Sequence, residues 1–370
     1  MSTTPNSPPT HIGIIGCGNI FGAYARGCRL FNNLHLKACA DLNPDFAAKR
    51  AEEFEITALS IDELLADPDI EIVVNLTIPK VHAQVSTAII KAGKHAYSEK
   101  PISLDLPEGE ELLALAAKHD LRIGSAPDTF LGAGAQTTRK LIDDGLIGTP
   151  IGGTAFMLYA GPERWHPNPA FFYQRGAGPM FDMGPYYIAA LVNLIGPVKT
   201  VCAMTTMPRT ERVATCAEQY GAKIPVEVPT HYSGSLLFES GAVINLAMSF
   251  DVIGHRHAPI EIYGTEGSLS VPDPNTFEGP VSLLSEPNAD WQEMPLTYGY
   301  SENSRSIGVA DLAAAIVEGR EHRCNGRLAL HTLEVMAAFE KSHETRAWVD
   351  IVNQCEKPAA LPLGLAPGTI

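Results

Sequence analysis

The sequence has no long apolar run: nothing in its 370 residues approaches the roughly 20 consecutive apolar positions that a membrane helix needs. It has no cluster of Lys and Arg either, and its 42 acidic against 27 basic side chains leave a net charge of −15. Such a chain repels phosphate backbones and anionic headgroups, so neither nucleic acid nor a membrane is an expected partner. The seven cysteines, at positions 17, 28, 39, 202, 216, 324 and 355, form no Cys-x-x-Cys pair, and their odd number suits a secreted disulfide framework poorly. A reducing, cytoplasmic setting fits them better. The first ten residues, MSTTPNSPPT, lack both a basic start and an apolar centre, and read as a polar tail rather than a signal peptide.

With 45% hydrophobic residues, the chain can fill the cores of two domains. The pattern opens with an apolar strand over 11–15 that runs into Gly16-Cys17-Gly18-Asn19-Ile20-Phe21 and then a helical stretch to Leu30. Strand, glycine turn and helix in that order form a phosphate cradle: Gly16 permits the tight turn, and Gly18 lets backbone N–H groups approach a pyrophosphate. Phe21 stands where the pattern's third glycine belongs, so the motif depends on its context. A second apolar strand over 34–40 ends at Asp41, 25 residues beyond Gly16. Asn43 and Pro44 already supply an N-cap and first-turn pair for the next helix, 43–54, which leaves Asp41 for a ribose. A carboxylate there accepts from the ribose hydroxyls and repels a 2′-phosphate. No arginine adjoins it in the sequence, so NAD is preferred over NADP.

A third strand, 69–76, breaks at Thr77-Ile78-Pro79, and the helix 81–92 carries His82, as a structural hydrogen-bonder or as a lining of the cofactor. Then comes AGKHAYSEKP, residues 92–101, in which a short strand through Tyr97 delivers Glu99, Lys100 and Pro101 to its carboxyl end. Ligands of open α/β sheets collect at that end, and burial there can bring a lysine's pKa toward working pH. A helix over 107–119 and a strand over 121–125 complete the alternation, which demands a parallel sheet with right-handed crossovers.

The ordered set GCGNI, Asp41, TIPKVH and AGKHAYSEKP resembles the glucose-fructose oxidoreductase, inositol dehydrogenase and MocA (Gfo/Idh/MocA) family of nicotinamide-dependent enzymes, over nearly the whole chain. The resemblance implies an α/β fold. An N-terminal Rossmann domain, 10–127, would be followed by an α+β domain, 128–355, with a large, mostly antiparallel open sheet, and residues 1–9 and 356–370 would be tails. It implies a cofactor held by Gly16, Gly18, Asn19, Ile20, Asp41, Leu76, Thr77, Pro79, His82, Glu99 and Lys100. It further implies that Lys100 lies between nicotinamide and substrate, that the bond before Pro101 is cis, and that the second domain's sheet meets a sister subunit in a dimer or tetramer.

The alternation changes after Asp128. A helix over 134–144 and strands over 151–160, 233–238, 242–250, 260–264 and 268–271 suit one broad sheet. Pro127, Asp128 and Thr129 close the first domain and are expected to border the substrate. In GAGPMFDMGPYY, residues 176–187, Asp182 and Tyr186 sit four apart, on one helical face once the helix has begun; otherwise Asp182 is its cap. Similar enzymes place an aspartate and, four residues later, a histidine beside the reacting hydroxyl. Tyr186 replaces that histidine, and a phenol, with an unperturbed pKa of about 10, moves the proton-transfer burden toward Lys100. Lys100, Asp182 and Tyr186 are the catalytic candidates. Trp165 and His166, with Phe171 to Tyr173, offer either an aromatic grip for a sugar ring or a loop pinned to the core. His255 and His257 have no carboxylate or thiol nearby and read as surface histidines, so no metal is expected. The expected activity is NAD-dependent oxidation of a secondary alcohol in a sugar, cyclitol or glycoside. The alternatives are redox-neutral glycoside cleavage with bound NAD and a sugar- or nucleotide-sensing regulator; an intact Glu99-Lys100-Pro101 argues against the sensor.

Overall fold

A computed structural model describes residues 8–370; most of the expected N-terminal tail, residues 1–7, lies outside the described residues. The chain divides into two compact units. The first comprises the chain through Asp128, with Asn303–Ala329 and Leu361–Ile370; the second comprises Thr129–Glu302 and Leu330–Ala360.

In the first unit, β1 (Thr10–Ile15), α1 (Phe21–Cys28), β2 (Leu34–Ala40), α2 (Pro44–Phe54), β3 (Thr57–Ala58), α3 (Ile61–Ala66), β4 (Ile72–Asn75), α4 (His82–Lys91), β5 (His95–Ser98), α5 (Leu106–Lys118) and β6 (Ile123–Ser125) alternate. Among the described residues, the six strands pair in the order β3-β2-β1-β4-β5-β6, all parallel. This is the doubly wound order of dinucleotide-binding folds. The central strands read as solid apolar runs because both faces of a parallel sheet are covered. Ile12 and Ile14 of β1 and the whole of β4 are buried accordingly. Helix starts follow local chemistry: Asn43 accepts from the Asp45 N–H ahead of α2, Ser60 and Glu63 form a capping box on α3, and Asp105 accepts from Glu108 N–H on α5. The two-residue β3 escaped the sequence reading because it is too short to show a period.

The second unit is built on α6 (Ala133–Asp143), β7 (Pro150–Leu158), α7 (Gly178–Ile195), β8 (Val198–Thr206), β9 (Glu211–Val213), β10 (Lys223–Pro225), β11 (His231–Phe238), β12 (Val243–Ser249), β13 (Ile260–Gly264), β14 (Ser268–Val271), β15 (Val281–Leu284) and β16 (Gln292–Met294). After α8 (Ile307–Glu318) come α9 (Gly326–Thr345) and β17 (Val349–Asp350). Among the described residues the main sheet has nine strands in the order β16-β15-β14-β13-β7-β12-β11-β8-β17. It is mixed: β7 and β12 pair in parallel, and every other pair is antiparallel. Helix α7 packs on β7, β11 and β12, and the ring of Phe339 on α9 would meet any side chain at Gly234 of β11. The opposite face carries Ser233, Ser235 and Asn245 with exposed Met204 and Val243.

Residues 303–329, expected in the second domain, pack with the first unit. The Asp128 carboxylate accepts from the N–H groups of Ser306 (3.0 Å) and Gly308 (3.1 Å) and so holds the start of α8. His322 Nε2 lies 3.0 Å from Ile123 O, and fully buried Asp311 pairs with Arg320 and Arg323. The expected C-terminal tail is also anchored. Arg139 donates to Pro358 O at 3.0 Å in the second unit, and Asn32 N–H donates to Gly368 O at 2.9 Å in the first.

Candidate active site

The glycine turn after β1 is fixed by backbone. Gly16 has φ of +103°, and a Cβ there would lie 2.6 Å from the Leu76 carbonyl, so only glycine fits. Its N–H donates to Ala40 O at 2.9 Å. Gly18 is exposed, and a Cβ on it would meet nothing within 4 Å, which leaves open space beside the turn's backbone. Asn19 is exposed and Ile20 half-buried. Asp41 follows β2, its Oδ2 accepting from Cys17 N–H (2.7 Å) and its Oδ1 from Asn43 N–H (2.8 Å). Since Asn43 caps α2, the carboxylate serves the turn and not the helix. The residues therefore fit a dinucleotide diphosphate and ribose: a Cβ-free cradle with an acidic group beside it. The sequence showed no arginine next to Asp41; the fold brings one to the glycine turn itself. Arg50 reaches from α2 to Cys17 O (3.4 Å) and Gly18 O (3.0 Å), with its guanidinium over the Phe21 ring. Helical spacing hides it from a search of immediate neighbours.

At the end of β4, Asn75 is fully buried. Its Nδ2 donates to His82 O (2.9 Å) and Ser86 Oγ (3.0 Å), and its Oδ1 accepts from Thr77 N–H (3.2 Å) and Oγ1 (2.6 Å). This fixes buried Leu76, half-buried Thr77 and the single turn that Pro79 begins. His82 is 1% exposed, with Nδ1 2.7 Å from Pro101 O and Nε2 3.0 Å from Thr77 O. Burial pushes its pKa below the ordinary value, and a neutral ring can donate to only one of the two carbonyls. Both nitrogens face protein carbonyls, so His82 braces the Thr77 turn against Pro101.

The Lys100-Pro101 bond is cis. Glu99 is locked ahead of it: its N–H donates to Asn75 O (2.9 Å), Oε1 accepts from Tyr24 Oη (2.8 Å), and Oε2 accepts from Lys100 N–H (3.0 Å). Burial, and then the Glu99 charge, hold the Tyr24 phenol far above its ordinary pKa, so it remains a donor. Lys100 itself is half-buried. Asp128 is 1% exposed, its pKa is pushed up to about 6 by burial, and its Oδ2 is committed to α8 as described. Thr129, 2% exposed, begins a turn of 3-10 helix.

In the second unit α7 begins at Gly178, so Asp182 is its fifth residue and not its cap. Asp182 and Tyr186 then lie one helical turn apart on one face, the first half-buried and the second 8% exposed. Tyr159, just past β7, was not singled out by the sequence. Burial first, then the charges of Asp182 and Glu163, raise its pKa, so it stays a neutral hydrogen-bonding phenol. Glu163 is buried, accepts from Tyr173 Oη, and pairs with Arg212 Nη1 at 2.9 Å. Arg212 also donates to Phe250 O (2.9 Å) and Asp251 Oδ1 (2.5 Å), which braces the 162–173 segment against β9 and the end of β12. The two readings of the aromatic segment divide by residue. Phe172 and Tyr173 are buried and pin it, while Trp165 (59% exposed) and Phe171 (42%) remain open, flanking the His166 ring at 5.3 and 5.4 Å. His255 and His257 are exposed and stacked, and among the described residues no group of three or more His, Cys, Asp or Glu could hold a metal. Among those residues no helix is long and apolar enough to cross a membrane.

Two family models match the chain. The oxidoreductase family model with an NAD-binding Rossmann fold covers residues 10–126, and the Gfo/Idh/MocA C-terminal domain model covers 135–270. The chain belongs to the Gfo/Idh/MocA family. Sugar dehydrogenases are among this family member's relatives. A D-xylose dehydrogenase of Paenarthrobacter nicotinovorans is 23% identical over 81% of this chain and 83% of its own length. A levoglucosan dehydrogenase of Pseudarthrobacter phenanthrenivorans is 24% identical over 85% and 89%. A solved levoglucosan dehydrogenase in complex with NADH and L-sorbose superposes with a TM-score of 0.79 at 23% identity, covering 93% of this chain and 99% of that one, and so shares its fold. Against this family background, what the sequence reading missed is dispersed. Glu163 and Asp251 lie 49 and 39 residues from Arg212, so no local spacing announces them.

Proposed function

We propose that this oxidoreductase is an NAD-dependent dehydrogenase acting on a secondary alcohol of a sugar, cyclitol or glycoside. The observation that carries this reading is the gathering, at the carboxyl ends of β1, β2, β4 and β5, of the Gly16–Gly18 turn, Asp41, Thr77 and Glu99-Lys100-Pro101. When bound, NAD supplies the hydride acceptor. Gly16, Gly18, Asn19 and Ile20 hold the diphosphate, Asp41 the ribose, and Leu76, Thr77, Pro79, Glu99 and Lys100 the nicotinamide end, with His82 behind them. Lys100 Nζ takes the proton from the substrate hydroxyl and returns it in the reverse direction. Asp182 and Tyr186 orient that hydroxyl, and Trp165, His166 and Thr129 contact the rest of the substrate. Tyr159 joins them as a donor, because its raised pKa keeps its proton in place. The exposed Met204 and Val243 on the open sheet face support a homo-oligomer, dimer or tetramer; a monomeric mass by sedimentation would remove that part.

The test is to mix protein, NAD or NADP and a panel of sugars and cyclitols, and to follow nucleotide reduction and product together. Reduction in step with ketone formation is expected. Cleavage without reduction would favour glycoside elimination or hydrolysis, and binding without either would favour a sensor. Asp41→Ala tests cofactor choice: an unchanged NAD to NADP ratio would mean that Asp41 does not set it.

A further inference from the structure

We infer that Arg50 positions the diphosphate cradle: reaching from α2, it pins two carbonyls of the glycine turn and so aims the turn's N–H groups at the dinucleotide. Its Nη2 donates to Gly18 O at 3.0 Å and its Nε to Cys17 O at 3.4 Å, one guanidinium holding two consecutive peptide groups. The Phe21 N–H joins it on Gly18 O at 3.3 Å. Both peptide bonds are trans, and in a trans peptide the N–H points away from the C=O. Two carbonyls turned toward Arg50 therefore turn the N–H groups of Gly18 and Asn19 away from it. On the preceding peptide, the Cys17 N–H is taken by Asp41 Oδ2 at 2.7 Å. Among the described residues no protein group accepts from the N–H of Gly18, Asn19 or Ile20, no side chain caps the start of α1, and no acid stands in its first turn. Three successive unclaimed donors at a helix start suit a pair of bridged phosphates.

Arg50 lies on an aromatic shelf. Phe21, fully buried, stands where the fingerprint's third glycine belongs, and its ring centroid lies 5.6 Å from the Arg50 guanidinium carbon and 5.6 Å from the Phe54 ring. A glycine there would let α1 close on the sheet but would leave the guanidinium nothing to lie on. The departure from the fingerprint and the arginine are therefore one device, a side-chain brace on a turn that close packing would otherwise hold. Glu53 Oε2 takes Nη1 at 2.5 Å, which fixes the remaining arm of the fork and offsets the charge that Arg50 lends to the cradle. Direction, more than charge, is then what Arg50 contributes. It touches the backbone of the turn and not the reacting atoms, so its effect falls on cofactor affinity. The inference rests on the cofactor placement proposed above.

The experiment measures the affinities of NAD and ADP by calorimetry and of adenosine by NMR titration, for the full chain and for Arg50→Met and Arg50→Lys, with urea midpoints alongside. ADP carries the diphosphate; adenosine lacks it. Arg50→Met should lose about tenfold or more in NAD and ADP affinity, the worth of a lost hydrogen bond to a charged group, and no more than about twofold in adenosine affinity. Arg50→Lys keeps the charge but, with a single ammonium in place of a planar fork, holds only one carbonyl, and its ADP affinity should fall between the other two. Equal losses for ADP and adenosine would make Arg50 a prop of the fold. Unchanged ADP affinity in Arg50→Met would remove it from the cradle, and full recovery in Arg50→Lys would assign the effect to charge. Each of these three results overturns the inference. Where Arg50→Met shows no urea transition and so does not fold, the ratio of ADP to adenosine affinity in Arg50→Lys decides: a ratio below that of the wild type upholds the inference, and an equal ratio overturns it. A wild-type chain that binds neither NAD nor ADP overturns the cofactor placement and this inference together, whereas a wild type that binds both, matched by Arg50→Met, overturns this inference alone.

Discussion

The two units shape their chemical ends by different means. In the first, the turn at Gly16 is set by main-chain groups: a left-handed glycine, an N–H on Ala40 O, and another on the carboxylate of Asp41. In the second, the 162–173 segment is held by side chains, with Arg212 satisfying Glu163 and Asp251 at once while buried to 3%. A backbone-made site tolerates change in most neighbouring side chains but not in its glycine. A charge-braced site fails when one ion is removed, because the partners are left buried and unpaired.

The largest expected effect separates chemistry from shape. Lys100→Met should lower turnover by about two to four orders of magnitude, the usual worth of a general acid–base group, while NAD affinity by calorimetry changes little. Retention of most activity would shift proton transfer to Tyr186 or Asp182.

Next comes the brace. Arg212→Met should cost about 3–5 kcal/mol in urea-unfolding stability, the range for a buried pair stripped of one partner. A loss under about 1 kcal/mol would place the site outside that range and erase the contrast between the units.

A third test uses two buried groups that respond to pH with opposite sign. Asp128, pushed up to about 6 in the fold from an unfolded value of about 3.9, stabilises the fold below pH ~4, and that contribution is lost as pH rises through 6. His322, lowered to about 4 by burial from about 6.5, contributes stability above pH ~6.5 that is lost as pH falls toward 4. Each is worth about 3 kcal/mol and the two nearly cancel across pH 4–6.5. Asp128→Asn keeps an acceptor for the Ser306 and Gly308 N–H groups. It should therefore uncover a steep loss of stability on acidification, read as a falling urea midpoint. A flat profile in the variant would remove the coupling.

The smallest effect probes the backbone site. Gly16→Ala should cost about 1–3 kcal/mol in urea-unfolding stability, the range for a strained backbone position, and should weaken NAD binding more than it weakens the fold. Equal NAD affinity would show that the turn can move away from Leu76.

Much of the first unit could be read in advance because its signals are local. Asn43 and Pro44 announced the cap on α2 and so freed Asp41, and the cis bond before Pro101 was implied by family resemblance. His82 and Asp128 were placed near the cofactor and substrate, and both lie buried with their polar atoms on protein partners. Sequence position located them, but not what their side chains face. Arg50 was overlooked for the converse reason: about two helical turns of α2 bring it to a turn that it never adjoins in sequence.

By itself the sequence determined the alternating strands and helices, the left-handed glycine, the acidic residue after β2 and the lysine after β5, because each follows from short-range periodicity and backbone geometry. Only the tertiary structure decided that residues 303–329 return to the first unit on Asp128 and that Arg212 joins Glu163 to Asp251. Those contacts join residues 39 to 180 positions apart in the chain, and no local pattern encodes a partner that arrives through the folding of everything between.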